Sequence, residues 1–194
     1  MIKPRILLLC AFAALLSSCL ARKEKVVIEG TVVEGKVGTY FDTKAFFEQE
    51  IEALGDRSLI KVATNSQGQY DSTRLAEPDL AKELSFFLEF DLAHPAKVGR
   101  YSADTVNTGD GRIHLRYQAS ESDLKPFTVH VVQNEEDASI LSVQIVDKTE
   151  NVLFENSKEL FYDAASKAWN VQYSQQTSMQ EAIFYHIDAE TFSR

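Results

Sequence analysis

Two arginines and two histidines, spaced at alternate positions in neighbouring segments, are the strongest candidates for a binding site. Arg112, His114 and Arg116 alternate along one segment, and His130 lies in the next. Alternate residues of a β-strand point to the same side of a sheet, so the four side chains are expected to share one face. Arginine binds carboxylates and phosphates in a bidentate manner, and a neighbouring imidazole adds a further donor. The spacing therefore predicts an anion-binding patch.

Two other interpretations of this patch stay open. A metal site would need a third ligand, and the two guanidinium charges would oppose a bound cation. A plain solvated face would instead pair the arginines with acids on neighbouring strands, and each pair would contribute less than about 1 kcal/mol. We predict no metal site and no cofactor.

The remaining reactive residue types do not form a catalytic pattern. No serine lies in a Gly-x-Ser-x-Gly motif, and both cysteines, Cys10 and Cys19, lie near the start of the chain. Chance carboxylate pairs are inevitable among the 29 acids. Residues 107–111 lack the ligand spacing of a calcium loop and indicate a hairpin turn. We predict no catalytic residue, and an envelope enzyme is kept as the second alternative.

The stretch LLSSCLARKEK, at residues 15–25, indicates where the protein lies in the cell. Lys3 and Arg5 precede an apolar run at residues 6–16, which is too short to cross a bilayer and is typical of a secretory signal. Residues 16–19 resemble the bacterial lipobox. This resemblance implies cleavage before Cys19 and acylation of Cys19, and two or more acyl chains anchor a protein stably.

These motifs divide the chain into a signal peptide at residues 1–18, a lipidated cysteine and tether at 19–40, and one globular domain at 41–194. The mature protein would have no disulfide, because Cys10 leaves with the signal and Cys19 carries lipid. Loss of Lys3 and Arg5 changes the net charge from −9 to −11, which argues against nucleic-acid binding. Leu20 replaces the aspartate associated with inner-membrane retention, so we expect a periplasm-facing anchor in the outer membrane.

Two amphipathic helices are predicted in the first half of the domain. Asp42 is a suitable N-cap, Phe41 and Phe46 are spaced as a hydrophobic staple, and Gly55 is a suitable end, so the first helix is expected from Thr43 to Leu54. A strand pair follows near residues 58–74. The second helix is expected to begin at residues 77–78, where a proline suits the first turn, and to end near residue 91.

The hydrophobic period changes to two from Val98 onward. Short polar turns separate segments that alternate apolar and polar residues, so the strands are expected to be antiparallel neighbours with one apolar and one polar face. The predicted fold is therefore α+β, with two amphipathic helices packed on one face of an antiparallel, curved sheet of about seven strands.

The lipobox, the short tether and the segments YFDTKAFFEQEIEAL and KELSFFLEFDLAHPA together resemble cell-envelope lipoproteins of the Bacteroidetes. The resemblance implies a membrane-anchored envelope protein and implies no activity. We predict a binding or accessory module without catalysis, whose partners are the membrane and envelope proteins. The alternative is a carrier or receptor for an apolar ligand held between helices and sheet, which would need a cavity of about 300 Å³ or more.

Overall fold

The start of the domain is a small hairpin. The computed structural model describes residues 32–35, 38–120, 127–178 and 180–193, so the predicted signal peptide, Cys19 and residues 20–31 of the tether lie outside the described residues. Strands β1 (Val32–Gly35) and β2 (Gly38–Phe41) pair in antiparallel fashion. Tyr40 and Phe41 are fully buried. The β1–β2 hairpin thus places Tyr40 and Phe41 in the core directly ahead of the first helix.

Helix α1 (Thr43–Leu54) has the predicted bounds. The Asp42 side chain accepts a hydrogen bond from the Ala45 backbone N–H at 2.8 Å, which satisfies one amide of the first turn. The rings of Phe41 and Phe46 lie 5.5 Å apart, as expected for a hydrophobic staple. The helix ends at Gly55, whose φ of 53° lies in the left-handed region that favours glycine.

The second predicted helix is wrong in its length and its start. Two single-turn helices, α2 (Leu80–Glu83) and α3 (Ser85–Leu88), take its place, and Asp79 is the N-cap of the first. Between them, the Ser85 hydroxyl donates to the Lys82 carbonyl at 2.7 Å. Such a side-chain bond competes with the backbone hydrogen bonds of a continued helix, and it accompanies the interruption at Leu84.

All other strands belong to one antiparallel sheet. They are β3 (Ser58–Asn65), β4 (Tyr70–Leu75), β5 (Tyr101–Asn107), β6 (Arg112–Ala119), β7 (Phe127–Asn134), β8 (Ile140–Glu150), β9 (Phe154–Asp163), β10 (Ala168–Thr177) and β11 (Gln180–Phe192). Their order across the sheet is β4-β3-β11-β10-β9-β8-β7-β6-β5. The α+β class and the antiparallel meander β5–β11 agree with the prediction.

The sheet has nine strands, so the prediction of about seven was too low. The extra two are the early strand pair β3–β4, which joins the sheet because β3 pairs with β11 along eight residues. The backbone groups at the outer edge of β11 need partners, and β3 supplies them. This pairing links the first and last parts of the domain.

The helices pack on one face of the sheet, which we call the core face. The Phe47 ring of α1 stacks on Phe87 of α3 at 4.4 Å, and it meets Tyr162 of β9 edge-on at 5.3 Å. Beneath them, Val143 and Ile145 are fully buried. Burial of aromatic and aliphatic side chains on this scale is the main source of stability in a domain without disulfides.

Three polar contacts hold the helices to the same face. Lys61 of β3 forms an ion pair with Glu83 of α2 at 2.8 Å, and Lys158 of β9 pairs with Glu89, at the end of α3, at 2.8 Å. Glu50 of α1 accepts a hydrogen bond from the Tyr162 hydroxyl and pairs with Lys167 at 2.6 Å. Burial and the Glu50 carboxylate raise the pKa of Tyr162 far above its ordinary value, so the phenol stays a donor.

Candidate functional site

The second face of the sheet, which we call the outer face, carries every predicted site residue except Cys19. Leu115 of β6 and Val131 of β7 are opposite each other and buried on the core face. Strand alternation therefore places the residues on either side of them, including His114 and His130, on the outer face. The helix contacts described above all reach core-face side chains, and no described helix packs on the outer face.

The two predicted histidines are in contact. The Nδ1 atom of His114 lies 3.1 Å from Nε2 of His130, and the two rings stack with their centroids 5.2 Å apart. Arg116 lies directly opposite His130 in the β6–β7 register. We call His114, His130, Arg112 and Arg116 the histidine–arginine cluster.

The contact between the rings limits how many protons they can hold. One ring nitrogen must donate and the other must accept, so the pair can take one added proton but not two without losing the bond. Burial lowers the pKa of the His130 ring, and the neighbouring His114 and Arg116 lower it further. His130 therefore stays neutral to lower pH than a free histidine, and the two guanidinium groups are permanently charged.

Neither arginine of the cluster forms an ion pair with an acid in the part of the chain that the structure describes. Arg112 lies near the β5–β6 turn, where the Thr108 hydroxyl and, to a smaller extent, Arg112 lower the pKa of Asp110. Asp104 is opposite Arg116 on β5, but the two groups are not within ion-pair distance. Arg116 is thus the cation best placed for an external anion.

The outer face is not uniformly polar, and this part of the prediction was wrong. Phe161 of β9 and Val62 of β3 lie on it, each partly exposed. Together with Ile60 and Ala168 they form the apolar floor of a groove of about 410 Å³ across β3, β11, β10 and β9. The sequence signal was available, because Leu160-Phe161-Tyr162 is a run of consecutive apolar residues, which places apolar side chains on both faces.

Acidic residues form the rim of this groove. Asp163, Asp188 and Glu190 line it, and none of the described residues that line it is basic. Asp163 accepts hydrogen bonds from the Ser166 backbone and hydroxyl, which lower the pKa of its carboxyl group. Asp188 accepts from the His186 ring at 2.8 Å. The outer face therefore has a cationic region on β6–β7 and an acidic, apolar region toward β3.

Among the described residues, no three histidine, cysteine, aspartate or glutamate side chains converge as metal ligands. None of the helices described above is both long and apolar enough to cross a bilayer.

Comparison with known proteins does not assign a family. No protein-family model, no curated protein and no solved structure matches the chain. The resemblance to envelope lipoproteins therefore stays a prediction from the sequence motifs.

Proposed function

We propose that this protein is a lipid-anchored binding module of the bacterial cell envelope, held by Cys19 and acting without catalysis. In this proposal the anchor lies in the outer membrane and the domain faces the periplasm. The lipobox and the apolar run before it support the anchor, and the tether of residues 20–31 separates the anchor from the domain.

The ligand that fits the outer face best is a carboxylate or phosphate group. The observation that carries this proposal is Arg116 beside the His114–His130 pair, on a face that no described helix covers, without an acid within ion-pair distance among the described residues. A guanidinium can hold two oxygens of such a group, and an imidazole that gains a proton can donate to a third. Because the whole chain is negatively charged, binding must come from these short-range contacts and not from the overall field.

Titration with phosphate at constant ionic strength tests the anion site. We expect the NMR signals of His114 and His130 to shift in a saturable manner, and Arg116→Ala to abolish the shift. Arg74→Ala is the matched control, because Arg74 lies on the same face but is stacked over Phe192 at 4.4 Å, far along the sheet from the cluster. Histidine signals that respond to ionic strength alone would show that the cluster is only a solvated surface.

The alternative of an apolar ligand between helices and sheet is not favoured by the packing. The side chains that would line such a cavity, including Phe47, Phe87 and Leu160, are completely buried, and the Phe47 and Phe87 rings stack on each other. The groove on the outer face supports a second candidate instead. Its volume of about 410 Å³ suits a small ligand with an apolar body, and its acidic rim favours a cationic end.

Native mass spectrometry of the protein purified from its own cells tests this second candidate. We expect a small molecule to copurify with the natural chain and to be lost in Phe161→Ala, which removes the groove floor. Val106→Ala is the control, because Val106 is exposed on β5, outside the groove. If the Phe161→Ala and Val106→Ala proteins retain the small molecule equally, or if no molecule copurifies, the groove is excluded as the ligand site.

A further inference from the structure

The exposed apolar side chains are concentrated at one end of the sheet. Nine large hydrophobic residues are exposed in the described part of the chain, and seven of them lie at the end formed by the β3–β4, β8–β9 and β10–β11 turns. We call this the distal end, and its exposed apolar residues are Tyr70, Val152, Leu153, Phe154, Ile183, Phe184 and Tyr185.

Four strands extend beyond the rest of the sheet at the distal end. Strand β7 begins at Phe127, which lies opposite Asp147 of β8. Strand β3 ends at Asn65, which lies opposite Tyr185 of β11. Among the described strands, β8, β9, β10 and β11 continue past that level, and Lys158 at the base pairs with Glu89 at the end of α3. At ~3.3 Å per residue, the projection extends about 15 Å past the level of Asp147 and Phe127.

The tip of this projection is held in a defined conformation. The Asn151 side chain accepts hydrogen bonds from the backbone N–H groups of Leu153 and Phe154 at 2.8 and 3.0 Å. The Ser178 backbone N–H donates to the Leu153 carbonyl at 3.1 Å and so joins the two hairpin turns. Val152 is nevertheless 97% exposed and Leu153 is 68% exposed. The turn presents these apolar groups outward and does not fold them back.

The apolar groups surround the projection. By strand alternation, Ile183 and Tyr185 lie on the core-face side, Phe184 lies on the outer-face side, and Val152 and Leu153 occupy the turn. A protein partner with a single docking surface would cover one side and leave the other exposed. A lipid phase that encloses a thin projection covers both sides and the tip together.

We propose that the distal end inserts into the interfacial region of a lipid bilayer, as a membrane contact separate from the acyl anchor. The fixed convex turn, the apolar groups on both sides and the tyrosine rings near the base are the features that an interfacial segment needs. Glu150, Glu155 and Glu181 flank the tip, and Lys148 is the basic residue beside them. The lipid recognised is therefore zwitterionic, because anionic headgroups would be repelled.

A flotation assay with neutral phosphatidylcholine vesicles tests this contact. The chain from Leu20 onward is used, because it contains every described residue and lacks Cys19, so an acyl chain cannot contribute. We expect the protein to float with the vesicles, and the doubly substituted Val152→Asp, Leu153→Asp protein to bind at least about tenfold more weakly. Phosphatidylglycerol in the vesicles should not strengthen binding.

Val106→Asp is the matched control, because Val106 is also exposed but lies away from the distal end. It should bind as the natural chain does. A second measurement uses Leu153→Trp with brominated lipids, which should quench the new tryptophan, while the buried Trp169 gives a constant background.

The proposal is overturned if the natural chain does not float, if the control loses binding equally, or if brominated lipids leave the Leu153→Trp signal unchanged. It is also overturned if the distal end mediates self-association, seen as a dimer in analytical ultracentrifugation that the Val152→Asp, Leu153→Asp protein does not form. None of these results bears on lipidation of Cys19 or on anion binding at Arg116, so the two proposals fail separately.

Discussion

At the scale of single residues, His114 and His130 share one hydrogen bond between ring nitrogens 3.1 Å apart. The bond persists with one added proton and is lost with two, because two N–H groups would then face each other. An anion bound between Arg116 and the rings would make the addition of a proton to the pair more favourable, since it stabilises a charged imidazole. The cluster is therefore expected to bind anions more tightly as the pH falls toward the lowered pKa of His130.

The lowered pKa of His130 predicts a pH dependence of stability. In the unfolded chain this histidine gains a proton near its ordinary pKa of 6.5, whereas in the folded domain it stays neutral to lower pH. The unfolded state therefore binds more protons in that interval, and the free energy of unfolding should decrease as the pH falls from about 6.5 toward the lower, folded-state pKa. Urea denaturation at a series of pH values measures this slope.

His130→Gln should make that slope flatter. The carboxyl groups with lowered pKa values, such as Asp163 and Asp137, contribute only nearer their ordinary value of 3.8, so they do not interfere above pH 5 or so. His94→Gln is the control for replacing a histidine, because its ring is exposed and is not part of the histidine–arginine cluster, and the difference in slope between the two variants isolates the contribution of His130. If the slope of the His130→Gln protein is identical to that of the natural chain, the pKa of His130 does not change on folding.

At the scale of elements, the helices close the core face. Phe47 of α1 contacts Phe87 and Tyr162, and Leu84, between α2 and α3, is fully buried. Phe47→Ala should therefore lower the free energy of unfolding by about 3 to 5 kcal/mol, and Leu84→Ala by about 2 to 5 kcal/mol, since each leaves a cavity. Chemical denaturation measures both.

Lys44→Ala on the same helix is the control for these truncations. Lys44 is exposed and forms a 3.7 Å pair with Glu48 along the helix, so its removal should cost less than about 0.5 kcal/mol. Truncations of Phe47 and Leu84 with effects as small as this would mean that the helices are not essential cover for the sheet.

The elements also show which parts of the fold could be predicted from residues that are close together in the sequence. Helix α1 was predictable because Asp42, the Phe41–Phe46 staple and Gly55 mark its ends within a few residues. Strands β5–β11 were predictable because their alternation and turns are local as well. The pairing of β3 with β11 was not predictable, because residues more than a hundred positions apart must meet, and the strand pattern is compatible with either edge of the meander.

The candidate site was also predictable only in part from the sequence. Alternation predicted that His114 and Arg116 share a face with His130, and the β6–β7 hairpin brings them together. The groove required β3 to lie beside β11 and β10, so Val62 and Phe161 could not be joined from sequence. The apolar projection also depends on the register of four strands, which alternation alone does not fix.

In the whole molecule, different surfaces are suited to different contacts. The core face is closed by helices, the outer face carries the histidine–arginine cluster and the groove, and the distal end is apolar. Without its predicted signal peptide the chain has a net charge of −11, which gives no attraction to anionic surfaces, so we propose acyl chains at Cys19 as the permanent anchor and the distal end as a separate, weaker contact with neutral lipid.

Metabolic labelling with a clickable fatty-acid analogue tests this anchor most directly. Cells that express the natural chain or Cys19→Ser are labelled, and the protein is followed in the membrane and soluble fractions. We expect the natural chain to be labelled and found with the outer membrane, and the Cys19→Ser protein to be unlabelled and either soluble or left unprocessed. Equal labelling of the two proteins would contradict the central claim that this domain is a lipid-anchored module.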